Sequence, residues 1–72
     1  MPERAVILVV DDSEEDILLI RRAFEKAYLS NPVFAVRSGA EAISYLQGEG
    51  RYSSRDEFPL PDEIEPASVY TA

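Results

Sequence analysis

Cysteine, histidine and tryptophan are all missing from this 72-residue chain, and lysine occurs once, at Lys26. Without cysteine there is no disulfide, no thiolate nucleophile and no Cys-based zinc site. Without histidine the commonest general base and metal ligand is gone, and the serines lack the neighbour that would activate one as a nucleophile. The glycines Gly39, Gly48 and Gly50 have neither the spacing nor the lysine of a phosphate-cradling loop. Basic residues are scarce: 7 against 14 acids, for a net charge of −7. That balance disfavours nonspecific binding to nucleic acid and attachment to anionic membranes. The longest apolar run is six residues, Ala5-Val6-Ile7-Leu8-Val9-Val10, far short of a membrane span. Met1-Pro2-Glu3-Arg4 leads straight into that run with no small-residue cleavage site, so no signal peptide is predicted and the expected location is cytoplasmic.

The apolar content of 46% fits a globular chain rather than a disordered one, and the length bounds it to one small domain. Such a domain buries only roughly 60% of the surface exposed by its unfolded chain. Oligomerisation is the remedy for marginal stability that this composition leaves open.

The six-residue run ends in two adjacent carboxylates, Asp11 and Asp12, followed by Ser13. Four of the six residues are β-branched, and the run is too short for a buried helix. It reads as a strand buried on both faces, in the middle of a parallel sheet. The acids then lie at the carboxyl end of a strand, where open α/β sheets keep their chemistry.

Beyond Asp12 the period changes. Glu14, Glu15 and Asp16 suit the positive end of a helix dipole, with Asp12 or Ser13 as N-cap. The helix is predicted to reach about Tyr28, with Ile17, Ile20, Phe24, Ala27 and Tyr28 on its apolar face. Leu18 and Leu19 broaden that face and predict heavy burial. Arg21, Arg22 and Lys26 read as a solvated face making i, i+4 pairs, with a docking patch as the alternative. Asn31-Pro32 ends the helix, and Val33-Phe34-Ala35-Val36 reads as a second strand. Ser38 to Glu41 has capping-box spacing and opens a second helix, with Ala42, Ile43, Tyr45 and Leu46 on its apolar side and Gly48 as its stop. Tyr45 and Tyr52 read as packing residues. A right-handed crossover makes the two strands parallel neighbours. Residues 48–62 form a loop by composition, long enough to be functional or mobile. Residues 67–71 are a candidate short strand.

Two carboxylates at a strand end suit a hard cation such as Mg²⁺, which takes oxygen ligands and keeps several waters. The alternative is that both acids are solvated and one caps the helix.

Ile7-Leu8-Val9-Val10-Asp11-Asp12-Ser13-Glu14-Glu15-Asp16 resembles the first strand and acidic turn of a response-regulator receiver domain. Arg37-Ser38-Gly39-Ala40-Glu41-Ala42-Ile43-Ser44-Tyr45-Leu46 resembles that family's second-strand end and second helix. Leu46-Gln47-Gly48-Glu49-Gly50-Arg51-Tyr52 and Phe58-Pro59-Leu60-Pro61-Asp62 are similar to single-domain regulators paired with phytochrome-type histidine kinases. The likeness covers about residues 5 to 62. It implies an α/β fold of the flavodoxin-like, CheY-like kind: part of a doubly wound parallel sheet, strand–helix–strand–helix, followed by a loop and an irregular tail. It also implies a non-enzymatic role in phosphorelay signalling, a histidine kinase as partner, and Mg²⁺ held by Asp11 and Asp12.

The family continues from the Pro-Asp into an apolar third strand ending in the phosphoacceptor aspartate. Here Pro61-Asp62 leads into Glu63-Ile64-Glu65-Pro66, which does not read as that strand, and the family's later switch Ser/Thr and lysine have no counterpart. The expectation is therefore a partial receiver domain over residues 1–62 with a divergent tail over 63–72. It lacks the phosphoacceptor, accepts no phosphate on its own and, short of that third carboxylate beside Asp11 and Asp12, should hold Mg²⁺ weakly or not at all. One edge of the first strand should then be open, inviting homo-oligomerisation, a domain swap or pairing with the tail. The alternatives are an interaction module working through that edge, or a truncated product without a function.

Overall fold

The first strand is central because both of its edges are paired. In the computed structural model, which describes residues 5–27 and 29–66, β1 (Ile7–Val10) lies between β2 (Val33–Val36) and β3 (Glu63–Pro66), parallel to each. Helices α1 (Glu14–Lys26) and α2 (Gly39–Gln47) complete a β1-α1-β2-α2-β3 order, with one 3-10 turn at Gly50–Tyr52 after α2. The register aligns Val10 with Val36 on one side and with Pro66 on the other.

Alternation along β1 sends its side chains to opposite faces, and a helix covers each. Ile7 and Val9 pack with Ile20 and Phe24 of α1, and with Val33. Leu8 packs with Val36, Ala42, Tyr45 and Tyr52, joined by Val10, Phe34 and Phe58. Ile7, Leu8 and Val9 are fully buried. Burying one such side chain contributes about 1.5–3 kcal/mol, so these three residues are the centre of the core. This is the doubly wound arrangement expected, with helices on both faces of a parallel sheet.

Local sequence sets the helix limits. Ser13 is the N-cap of α1, its hydroxyl accepting from the Asp16 amide at 3.3 Å. Ser38 caps α2 in the same way, accepting from Glu41 at 3.1 Å. Gly48 ends α2 at φ 71°, a left-handed conformation that glycine adopts without a Cβ penalty. Asn31 is buried and donates to the Ala5 carbonyl at 3.1 Å, tying the α1–β2 connection to the start of β1.

The edge of β2 is partly covered. Pro32 and Val36 carbonyls accept from Ile7 and Asp11 of the β1 chain, each at 2.9 Å, so the Val33 carbonyl faces outward by alternation. There Arg21 donates to it at 2.9 Å, which blunts a short apolar edge strand. Arg21 is thus tied to the sheet edge rather than merely solvated.

Three expectations need correction. Residues 63–66 are not irregular: they form β3, and the sheet continues across the boundary expected after Asp62. The second edge of β1 is therefore filled from the tail, one of the outcomes expected for it, and assembly or domain swapping through that edge loses its basis. The physical reason is that parallel pairing is made by the backbone, which Glu63 and Glu65 supply as well as valines would. Pro66, lacking an N–H, stands at the end of the strand, where it is tolerated. Finally, Leu18 and Leu19 are not heavily buried. They are 54% and 51% exposed: the buried residues of α1 are Ile20 and Phe24, and the short sheet does not reach Leu18 and Leu19. The candidate strand at 67–71 and the predicted helix end at Tyr28 lie outside the described residues.

The loop after α2 is fixed to the core. Tyr52 is buried and Phe58 half-buried. Tyr52 lies 4.9 Å from the Tyr45 ring and 5.0 Å from Phe58, the latter edge to face. Arg55 donates to the carbonyls of Tyr45 (3.0 Å), Leu46 (2.9 Å) and Phe58 (3.1 Å). Of these, the Leu46 carbonyl is an acceptor left over at the C-terminal end of α2; the Tyr45 carbonyl also accepts from the Gly48 amide at 3.2 Å. Tyr45 and Tyr52 are packing residues, as expected.

Candidate functional site: the acid turn

Asp11 and Asp12 sit where β1 ends and α1 has not yet begun. The Asp11 amide donates to the Val36 carbonyl at 2.9 Å, fastening the turn to the end of β2. The Asp11 Oδ1 accepts from the Ser13 amide at 2.7 Å, an Asx-turn geometry that folds the chain toward the helix. Asp11 is half-buried and Asp12 exposed. Ser13, not Asp12, is the cap, so Asp12 is free of that role. Glu14, Glu15 and Asp16 occupy the first turn of α1, where negative charge meets the positive end of the helix dipole.

Arg37, the first residue after β2, was legible only as part of a motif. The structure gives it a specific place. Its Nη2 donates to the Asp12 carbonyl at 3.1 Å, and its Nη1 contacts Glu14 Oε1 at 3.3 Å. Its own amide donates to Glu41 Oε2 at 3.1 Å, and the Tyr52 hydroxyl donates to Glu41 Oε1 at 2.6 Å. Glu41 was expected to serve the capping box. It does so one residue early, taking the amide of Arg37 instead of that of Ser38, and it also receives a buried tyrosine. That tyrosine partner comes from the 3-10 turn, 11 residues on, which no local pattern announces.

The electrostatics follow from these bonds. The Glu41 carboxyl is held below its ordinary value, first by the Tyr52 hydroxyl and then by the Arg37 amide, against the opposing effect of burial. Burial pushes the Tyr52 hydroxyl up, and the hydrogen bond to Glu41 adds to that. Tyr45 is pushed up by burial, partly offset by Arg55; its hydroxyl donates to the Pro59 carbonyl at 2.8 Å. Beside Arg37 lies a shallow groove of about 370 Å³ with Ile17, Leu18 and Ala35 in its lining and Glu14, Glu41 and Arg51 among its polar residues. Exposed Leu18 faces this groove.

The fit to a divalent cation rests on the donor set. Asp11 and Asp12 are hard oxygen donors on one turn, with one Asp11 oxygen engaged by Ser13. The two carboxylates are hard oxygen donors of the kind Mg²⁺ takes, and among the described residues no third His, Cys, Asp or Glu joins them to make a metal-holding group. No helix among the described residues is long and apolar enough to cross a membrane.

No family model matches the chain, and no curated protein sequence does. Among solved structures, the chain is similar to the response regulator RPA3017 of R. palustris, whose crystal structure was determined in the context of red light signaling. The TM-score is 0.79 at 26% identity, over 86% of this chain and 43% of that one. The present chain thus spans less than half the length of its structural relative. The chain thus has a partial flavodoxin-like α/β fold, similar to that of this response regulator.

Proposed function

We propose that this chain is a receiver-type module of two-component phosphorelay signalling, a non-enzymatic cytoplasmic partner for a histidine kinase, and that it does not itself accept a phosphoryl group. The observation that carries this reading is the placement of Asp11 and Asp12 at the carboxyl end of the central strand of a β2-β1-β3 sheet. That is where receiver domains hold their metal-binding acids. The relative in red light signaling and the likeness of residues 46–62 to regulators of phytochrome-type kinases support a kinase of that type as partner.

Asp11 and Asp12 would hold Mg²⁺, which when bound neutralises charge on phosphate oxygens. The chain's own residues do the rest of the positioning: Ser13 orients Asp11, and the Asp11 amide bond to Val36 keeps the turn against β2. In the family the phosphoacceptor ends the third strand. Here β3 runs through Pro66, paired with Val10, and the next residue in sequence is Ala67, which has no carboxylate to accept a phosphoryl group.

The test is incubation with acetyl phosphate and Mg²⁺ followed by intact-mass measurement. The expected mass is unchanged. A stable gain of one phosphoryl group would overturn the claim that this chain lacks an acceptor.

A further inference from the structure

We infer that the edge of β2 at Ala35 is a docking site for a short extended peptide in which an apolar residue is flanked by an acidic one. β2 is an edge strand of the sheet. The Pro32 and Val36 carbonyls accept from Ile7 and Asp11, so by alternation the backbone groups of Val33, Ala35 and Arg37 point away from β1. Side chains of the same molecule close both ends of that row. Arg21 takes the Val33 carbonyl at 2.9 Å, and Glu41 Oε2 takes the Arg37 amide at 3.1 Å. Between them the Ala35 N–H and C=O remain, and Ala35 lines the groove of about 370 Å³ beside Arg37. Backbone groups left at a sheet edge are a template for another chain, the mode by which extended peptides add to sheets. One residue of an antiparallel strand would exchange both N–H···O bonds with Ala35.

The outer edge of β3 is the poorer template. The Glu63 amide turns inward to the Val6 carbonyl, so the outward groups of β3 fall on Ile64 and Pro66, and Pro66 has no N–H.

The groove also sets the side chains of its occupant. Ala35 aligns with Val9 and therefore shares its α1 face. A residue paired with Ala35 would place its side chain on that face, against Ile17 and Leu18, and the small Ala35 methyl leaves room for it. The adjacent residues of the peptide would point to the other face, where Glu41 and Arg51 line the groove. Both Glu41 oxygens are engaged, by the Arg37 amide and the Tyr52 hydroxyl, and Glu14 is paired with Arg37. Arg51 is exposed and lies 4.9 Å from the Tyr52 ring centroid and 5.9 Å from that of Phe58. It makes no ion pair among the described residues, so it is the uncompensated charge of the groove and selects an acid. A second copy of this chain, with a net charge of −7, is the worse occupant, because like charges repel.

The experiment is a titration of the full chain, followed by backbone amide shifts, with a short synthetic peptide of alternating valine and threonine in which one threonine is replaced by glutamate. The control peptide carries lysine at that place. The glutamate peptide is expected to shift Ile17, Leu18, Ala35, Arg37 and Arg51 and to bind about 5-fold more tightly than the lysine peptide at low salt. Arg51→Gln should remove that preference. Ala35→Pro should weaken both peptides about 5-fold, with a melting temperature near that of the unaltered chain, because the lost N–H faces away from β1. Equal binding of the two peptides, or shifts centred on Ile64, would overturn the inference. Shifts of the groove residues that grow with protein concentration in the absence of peptide would give the site to a second copy and overturn it as well.

Discussion

Val6 and Asp62 bond each other twice: the Asp62 amide donates to the Val6 carbonyl at 2.8 Å, and the Val6 amide donates to Asp62 Oδ2 at 2.8 Å. This reciprocal clamp sits just before β1 and β3 begin to pair and fixes their register, Ile7 opposite Glu63. It explains how a strand with two glutamates and a proline is held beside the most apolar strand of the chain.

Asp62→Ala removes one arm of that clamp and leaves the Val6 amide without its side-chain acceptor. The expected cost is about 1 kcal/mol, the usual net value of one hydrogen bond. Urea unfolding should show a lower midpoint, and amide exchange should accelerate at Val6 and along β3 more than along β2. Uniform acceleration across all three strands would mean that the clamp has no local role.

Tyr52→Phe tests the buried tie to Glu41. A carboxyl whose pKa is lowered by folding contributes stability above its unfolded value, near 4.5 for Glu41, and loses that contribution as pH falls through the folded value. The unaltered chain should thus lose stability on acidification below that point. The Phe variant, lacking the largest cause of the lowering, should show a shallower acid limb. A tyrosine whose pKa is raised by folding behaves in the opposite sense: its contribution is intact below about pH 10 and is lost as pH rises through the folded value. Tyr45 and Tyr52 are both raised, so alkaline loss is expected in the unaltered chain and a smaller one in Tyr52→Phe. Melting temperatures across the two limbs check both signs.

Arg55→Ala tests whether the loop after α2 is fixed by the guanidinium. Loss of its bonds to the Tyr45, Leu46 and Phe58 carbonyls is expected to cost about 2 kcal/mol, with faster amide exchange from Gly50 to Phe58. Gly48→Ala should be destabilising for two reasons. The position has φ +71°, and an added Cβ would lie 2.9 Å from an Arg55 nitrogen. An Arg55→Ala background removes the second reason, so the double variant should lose less than the two single losses added together.

These contacts also show where sequence reasoning reached and where it stopped. β1 stood out by its apolar run, β2 by Val33 to Val36, and the helix ends by Ser13, Ser38 and Gly48. Each is a local signal, and each was found in place. β3 was invisible because its residues carry no strand signature; it forms through backbone pairing with β1 and the Asp62 clamp, both set by tertiary context. Leu18 and Leu19 misled because periodicity locates an apolar face but not the width of the surface that meets it. The position of Asp11 and Asp12 at the end of β1 was legible from the apolar run before them. Arg37, Glu41 and Tyr52 were not legible as a network, since a hydrogen bond from a 3-10 turn to a helix start leaves no spacing rule behind.

The most direct measurement is paramagnetic broadening of backbone amides by substoichiometric Mn²⁺, in the unaltered chain and in Asp11→Asn. A receiver acid turn predicts broadening confined to the carboxyl end of the sheet, Val10 to Ser13 and Arg37, with Val6, Asn31 and Asp62 at the opposite end unaffected, and loss of the effect in Asp11→Asn. Broadening spread over Glu15, Glu25, Glu57 and Glu63 alike, and unchanged by Asp11→Asn, would contradict it.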